Sequence, residues 1–227
     1  MSKSVVTHRL PGLGAALILI LGLGLGLVAT AQAAKPPQVT EDGLELTKSK
    51  GISLLYIRSG ASLAGYTKVM LDPVEVAFSR NWNPRDYGTF GLKASEVDKI
   101  RHDLGTAARD TFLKVLGDGG YPQATEVDAG VLRVTAAIVN LYINAPDKLE
   151  AGRSRTYVAN AGSMTLAIEL RDAATGTVLV RAFDAKAGSE TGRLQWSSGV
   201  FNRAEAERIL RGWADRLKRA LDAAKAA

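Results

Sequence analysis

Few residues in this chain could carry out chemistry. Its 227 residues include two histidines, His8 and His102, and no cysteine. Disulfides, thiolate nucleophiles and cysteine-ligated zinc are therefore excluded. A histidine-dependent triad would have to be built around His102, and no G-x-S-x-G turn is present to present its serine. At 3.6 residues per turn, His102 falls off the apolar stripe of Ile100, Leu104 and Ala108, on the polar side of a helical stretch. Asp98, one turn earlier, could hold its ring, but a solvent-facing helical histidine is the favoured reading over a catalytic base or ligand. Carboxylates are plentiful. Asp72, Glu169 and Asp184 lie in strand-like segments, and two acids about 5–10 Å apart across a cleft would suit glycosidic hydrolysis. Backbone roles compete with that reading: Asp72 precedes Pro73 at a break in a strand, and Asp172 with Gly176 suits a turn. No phosphate loop or dinucleotide fingerprint follows a strand. No cofactor, metal or catalytic residue is expected.

A second cluster suits recognition better than catalysis. Arg80, Trp82, Arg85, Tyr87 and Phe90 crowd one polar loop, and such side chains are enriched in binding hot spots. They form the candidate partner surface. The competing reading is that the loop folds back to cover the core.

The elements that must position these residues follow from periodicity. Ile52–Ile57 reads as a short strand. Tyr66–Phe78 reads as a longer one whose buried parity changes at Asp72-Pro73. An extra residue or kink there would restore a single buried face, and proline, lacking the ladder N–H, places the strand at an edge or a bulge. Ser95, with Asp98 three residues on, is expected to cap a helix. Its stripe is Val97, Ile100, Leu104, Ala108, Phe112 and Val115, ended by Gly117 and Gly119-Gly120. Tyr121–Glu126 suits a strand, and Val131–Ile143 is a long one. Met164–Arg171 and Thr177–Asp184 alternate about a five-residue turn and form a hairpin. Pro146–Arg155 is a charged excursion, and Lys186–Ser198 reads as a mobile loop. Asn202 with Glu205 caps a last helix, whose inner side is Leu210, Trp213, Leu217 and Leu221. The fold class is α+β: an antiparallel or mixed sheet with two amphipathic helices packed on one face.

The first residues differ in kind. Lys3 and Arg9 precede the apolar run Leu13–Val28, and Ala31-Gln32-Ala33 stands before Ala34, the pattern of a secretory signal peptide. Cleavage is expected between Ala33 and Ala34, with Ala31 and Ala33 as the small residues of the site. The run has 16 residues, short of the roughly 20 that span a bilayer; a retained membrane anchor is the alternative. The chain divides into a signal peptide (1–33), a flexible lead-in (34–50) and a single α+β domain (51–227).

The formal charge is +6, and loss of Lys3 and Arg9 with the leader leaves +4. Acids and bases are interleaved, so nucleic acid is not expected as a partner. Peripheral contact with an anionic membrane surface stays open.

Three stretches carry a resemblance. They are Tyr66-Thr-Lys-Val-Met-Leu-Asp-Pro-Val-Glu-Val, Val131-Leu-Arg-Val-Thr-Ala-Ala-Ile-Val and Met164-Thr-Leu-Ala-Ile-Glu-Leu-Arg-Asp-Ala-Ala-Thr-Gly. Ala182-Phe-Asp-Ala and the helices after Ser95 and around Trp213-Ala214 add to it. In that order they resemble domain-of-unknown-function family 3313, bacterial envelope proteins commonly described as lipoproteins. The resemblance implies an envelope location and a fold type, and no activity. The chain has no cysteine to carry a lipid, so lipoprotein status is not implied. The expectation is an exported, non-enzymatic periplasmic module that binds an unidentified envelope protein or ligand. The alternatives are a cell-wall hydrolase using paired carboxylates and a membrane-tethered accessory subunit.

Overall fold

The computed structural model describes residues 35–87, 90–144, 157–158, 162–188, 195–196 and 199–226. Two compact units divide the chain, Met1–Pro36 and Pro37–Ala227. The second holds β1 (Leu44–Thr47), β2 (Leu54–Arg58), β3 (Lys68–Leu71), β4 (Glu75–Phe78), α1 (Ala94–Asp118), β5 (Val131–Ile143), β6 (Tyr157–Val158), β7 (Gly162–Asp172), β8 (Val178–Ala187), β9 (Gln195–Trp196) and α2 (Gly199–Ala226). The expected signal cleavage at Ala33-Ala34 and the excursion Pro146–Arg155 lie outside the described residues.

Seven strands make one mixed sheet in the order β1-β2-β8-β7-β5-β3, with β4 also pairing β5. The hairpin β7–β8 and its neighbours are antiparallel, whereas β3 and β4 run parallel to β5. The parallel pairing follows from α1, which carries the chain from β4 back to the start of β5. The fold is α+β, with both helices on one sheet face.

The break at Asp72-Pro73 is visible in the register. Leu71 pairs with Val134 and Glu75 with Ala137, so the edge carries one residue more than β5 over the same distance. That residue returns Val76 and Phe78 to the face of Val69 and Leu71, all packed into the main core. β5 makes a similar adjustment near its end. Asn140, at φ 52°, marks a register shift, after which Leu141 joins the core beside Ile138. The helical stripe is real: Val97, Ala108, Phe112 and Val115 are buried, with Ile100 and Leu104 partly so. Leu210, Trp213, Leu217 and Leu221 are the buried side of α2.

Several expectations need correction. The lead-in is not wholly flexible: Leu44–Thr47 forms the sheet's outermost strand, and Leu44 is fully buried against Tyr56 and Val178. Tyr121–Glu126 is not a strand. It touches β3 through a single bridge at Gln123, while the Tyr121 ring turns into the core. The acid that holds the start of α1 is Glu96, which accepts from the Lys93 amide at 2.6 Å; Ser95 sits inside the first turn. α2 starts at Gly199, ahead of the expected Asn202 cap. The stretch expected as a loop from Lys186 includes the last residues of β8 and the short strand β9.

Candidate functional site

The aromatic loop separates into two parts. Trp82 is buried and stacks on Phe78 at 3.9 Å, nearly parallel. Its indole N–H and the Tyr87 hydroxyl both donate to the carbonyl of Ile143, at 3.2 and 2.6 Å. One carbonyl oxygen has two lone pairs, so both donors are satisfied there. These contacts fasten the loop to the end of β5 and, with Leu92 and Val97, make a small second core. Arg80 and Arg85 are exposed, and Phe90 is 92% exposed. The turn that carries Phe90 is tight. Asn83 caps a 3-10 turn at Pro84–Asp86, and the Leu92 amide returns to the Pro84 carbonyl at 2.7 Å. Gly91, at φ +70°, brings its backbone so close that a Cβ would lie 2.9 Å from the Arg85 Cα. Phe90 is thus presented to solvent on a closed turn, in the same loop as the exposed Arg80 and Arg85.

The three candidate carboxylates are not brought to one cleft. Asp184 is buried on the helix-covered face, where the Trp213 indole donates to it at 2.9 Å. The Ser53 amide and hydroxyl each donate at 3.2 Å, and Lys186 and Arg216 stand 2.9 and 3.6 Å away. This cluster joins α2, β8 and the β1–β2 loop. Glu169 lies on the opposite face, across from Arg181 on β8, and accepts from it at 2.6 and 2.9 Å; Arg171 closes on its other oxygen. Asp72 shares that open face with Glu169. It is gripped by the Arg133 Nε at 3.0 Å and by the Thr135 hydroxyl at 2.7 Å. A general acid must hold a proton aimed at a substrate. The oxygens of these acids instead receive guanidinium, hydroxyl and indole donors.

His102 is exposed on α1, as a solvent-facing histidine would be, and Asp98 pairs with Arg101 at 2.9 Å. Among the described residues no cluster of histidine and carboxylate could hold a metal ion. No helix among them is long and apolar enough to cross a membrane.

Two tyrosines tie the far end of the domain together. The Tyr121 hydroxyl donates to Asp222 at 2.9 Å and the Tyr66 hydroxyl to Asp172 at 2.8 Å. Burial, and then the neighbouring carboxylate, pushes each phenol up to about 12. An unfolded tyrosine ionises near 10, so the stability these groups supply is complete below that pH and is lost as pH rises toward the folded value. The urea midpoint should therefore fall as pH rises from about 10 toward about 12. A Tyr66→Phe/Tyr121→Phe variant should show a visibly shallower drop, and an unchanged slope would refute the assignment.

Sequence reasoning missed two features. One is the convergence of Ser53, Lys186, Trp213 and Arg216 on Asp184. The other is Lys48 and Lys50, exposed on the β1–β2 loop. Trp213 was readable as an apolar stripe residue, but its indole partner lies on another element.

The sequence profile described as "Protein of unknown function (DUF3313)" matches residues 35–217. No curated protein matches the chain. Among solved structures, it is similar to the PelC dodecamer from Paraburkholderia phytofirmans, with 13% identity, a TM-score of 0.37, and coverage of 74% of this chain and 95% of that one. A minor lipoprotein from Acinetobacter baumannii shows 11% identity and a TM-score of 0.33, with 70% of this chain and 94% of that chain covered. A DUF4136 family protein from Bacteroides thetaiotaomicron shows 12% identity and a TM-score of 0.34, with coverage of 76% and 98%.

Proposed function

The chain belongs to the DUF3313 family of proteins of unknown function, and from that premise we propose that it is an exported, non-enzymatic module of the bacterial envelope that works by binding a partner. The observation that carries the non-enzymatic part is the commitment of each candidate carboxylate to its own cationic partner on a flat sheet or beneath a helix. Asp72 is held by Arg133, Glu169 by Arg171 and Arg181, and Asp184 by Lys186 and Arg216. Export rests on the leader: Lys3 and Arg9, the apolar run Leu13–Val28 and the small residues Ala31 and Ala33. The loop that presents Arg80, Arg85 and Phe90 is the surface offered to a partner.

Asp72→Asn, Glu169→Gln and Asp184→Asn variants, assayed for wall hydrolysis beside the parent protein, test the first part. No hydrolysis by the parent is expected. Hydrolysis that one of these variants abolishes while its urea midpoint stays at the parent value would establish an enzyme instead. Intact mass of the exported protein tests the second part. The N-terminus is expected at Ala34, and material beginning at Met1 in the membrane fraction would establish a retained anchor.

A further inference from the structure

Among the described residues, the sheet's connections are electrically sorted by end. At one end lie the β1–β2 loop, with Lys48 and Lys50, and the loop from β4 to α1, with Arg80, Arg85 and Lys93. The only acid in these two connections is Asp86, whose carboxylate accepts from the Asn83 amide at 2.9 Å. At the opposite end, the turn before β1 and the segment between α1 and β5 carry Glu41, Asp42, Glu126 and Asp128 and no base. The β2–β3 and β7–β8 connections at that end bear no charge. The sorting is invisible in the chain order, because it arises only when antiparallel and crossover connections place alternate loops at the same pole.

Three further observations fall at the basic end. The side chains of Lys48, Lys50, Arg80, Arg85 and Lys93 are all exposed, and none is in an ion pair among the described residues. Phe90, 92% exposed, projects from the closed turn between Pro84 and Leu92. Pro37 is also here: its carbonyl accepts from the Tyr56 hydroxyl at 3.1 Å, and the Leu46 amide donates to the Gln38 carbonyl near the close of β1. An exposed aromatic ring on an end whose described loops carry exposed cations fits a surface with an apolar interior and an anionic skin.

We propose that the basic end is a docking face for an anionic phospholipid bilayer, with Phe90 entering the interfacial layer and Lys48, Lys50, Arg80, Arg85 and Lys93 meeting head-group phosphates. The β4–α1 loop carries both anchor and charge, and its clamp on the Ile143 carbonyl holds it ready-made, so little ordering cost opposes binding. A basic residue near an anionic bilayer strengthens binding by roughly fivefold. This deepens the binding-module reading and rests on the export it includes.

The test uses the protein as recovered from the envelope, sedimented with vesicles of equal parts phosphatidylcholine and phosphatidylglycerol, and with vesicles of phosphatidylcholine alone. Binding to the anionic vesicles is expected to be at least tenfold tighter, and to weaken as salt is raised. Arg80→Glu/Arg85→Glu should lower it more than tenfold, and Phe90→Ser several-fold. Glu126→Lys/Asp128→Lys, which raises net charge at the opposite end, should leave it within twofold. These are exposed positions, and unchanged thermal melts establish that each variant folds. Equal binding to both vesicle types would overturn the proposal. So would full binding by the arginine variant, or a strong gain from the opposite-end variant, which would mean attraction by bulk charge. Those results would leave an N-terminus at Ala34 untouched, whereas a cytosolic chain beginning at Met1 would remove the export reading itself.

Discussion

Replacing Asp184 with alanine should lower the free energy of unfolding by about 2–4 kcal/mol, because it strands a buried indole donor and removes a charged hydrogen-bond acceptor. Asp184 is 4% exposed and accepts from the Trp213 indole and from both donors of Ser53. In the alanine variant the indole N–H loses the carboxylate that accepts from it. The loss stays below the top of the range for a broken buried pair because Lys186 and Arg216 are about one-third exposed and regain water. Asp184→Asn keeps an acceptor for the indole and loses the ionic part, and should cost about half as much. Trp213→Phe removes the donor but keeps most of the packing. A double-mutant cycle between Asp184→Ala and Trp213→Phe should show a coupling above about 0.5 kcal/mol. Additive losses would mean that the indole bond contributes nothing and that the helix is held by packing alone. The same reasoning makes the amide variant the proper one for any hydrolysis assay, since alanine at this position confounds activity with folding.

What the sequence made legible was whatever depends on near neighbours. The stripe of α1 could be read because helical period alone decides which residues face the sheet, and the break at Asp72-Pro73 because strand parity admits no other repair. β1 escaped notice: Leu44-Glu-Leu-Thr is too short to show a period, and its buried face is made by Tyr56 and Val178, one strand and most of the chain away. Glu96 was passed over for Asp98 because the cap was expected at Ser95, two residues after Lys93. The aromatic loop was recognised as a unit, but its division was not. Which rings turn inward depends on the Ile143 carbonyl, exposed at the end of β5 only after the sheet is assembled. The Asp184 cluster was out of reach for the same reason, since Ser53, Asp184 and Trp213 belong to three elements. The charge sorting between the two ends is further from the sequence still. Lys48 and Arg85 share a pole only through the strand order β1-β2-β8-β7-β5.

Gly105→Val should be the most damaging single change in α1, with an expected loss above about 3 kcal/mol. Glycine inside a helix normally costs about 1 kcal/mol relative to alanine, so its presence at the middle of α1 calls for a packing reason. The structure supplies one. Gly105 is buried where α1 crosses the break between β3 and β4, and a Cβ there would lie 2.6 Å from the Val74 carbonyl oxygen. That oxygen belongs to backbone between two segments locked in register with β5, so it cannot swing aside like a side chain. The Val76 methyl at 3.6 Å closes off the alternative direction. Alanine should therefore forfeit its propensity gain and still lose about 1–2 kcal/mol, while valine adds two methyls with nowhere to go. Gly212, on the exposed side of α2 with no atom within 4 Å of an added Cβ, is the internal control. Gly212→Ala should raise stability by up to about 1 kcal/mol. Urea titration of the three variants separates the two terms, because propensity is common to both alanines and only Gly105 meets a backbone. A stabilised Gly105→Ala would mean that α1 rides higher over the break than these contacts indicate, and the kinked edge would then lose its role in setting how close the helix lies.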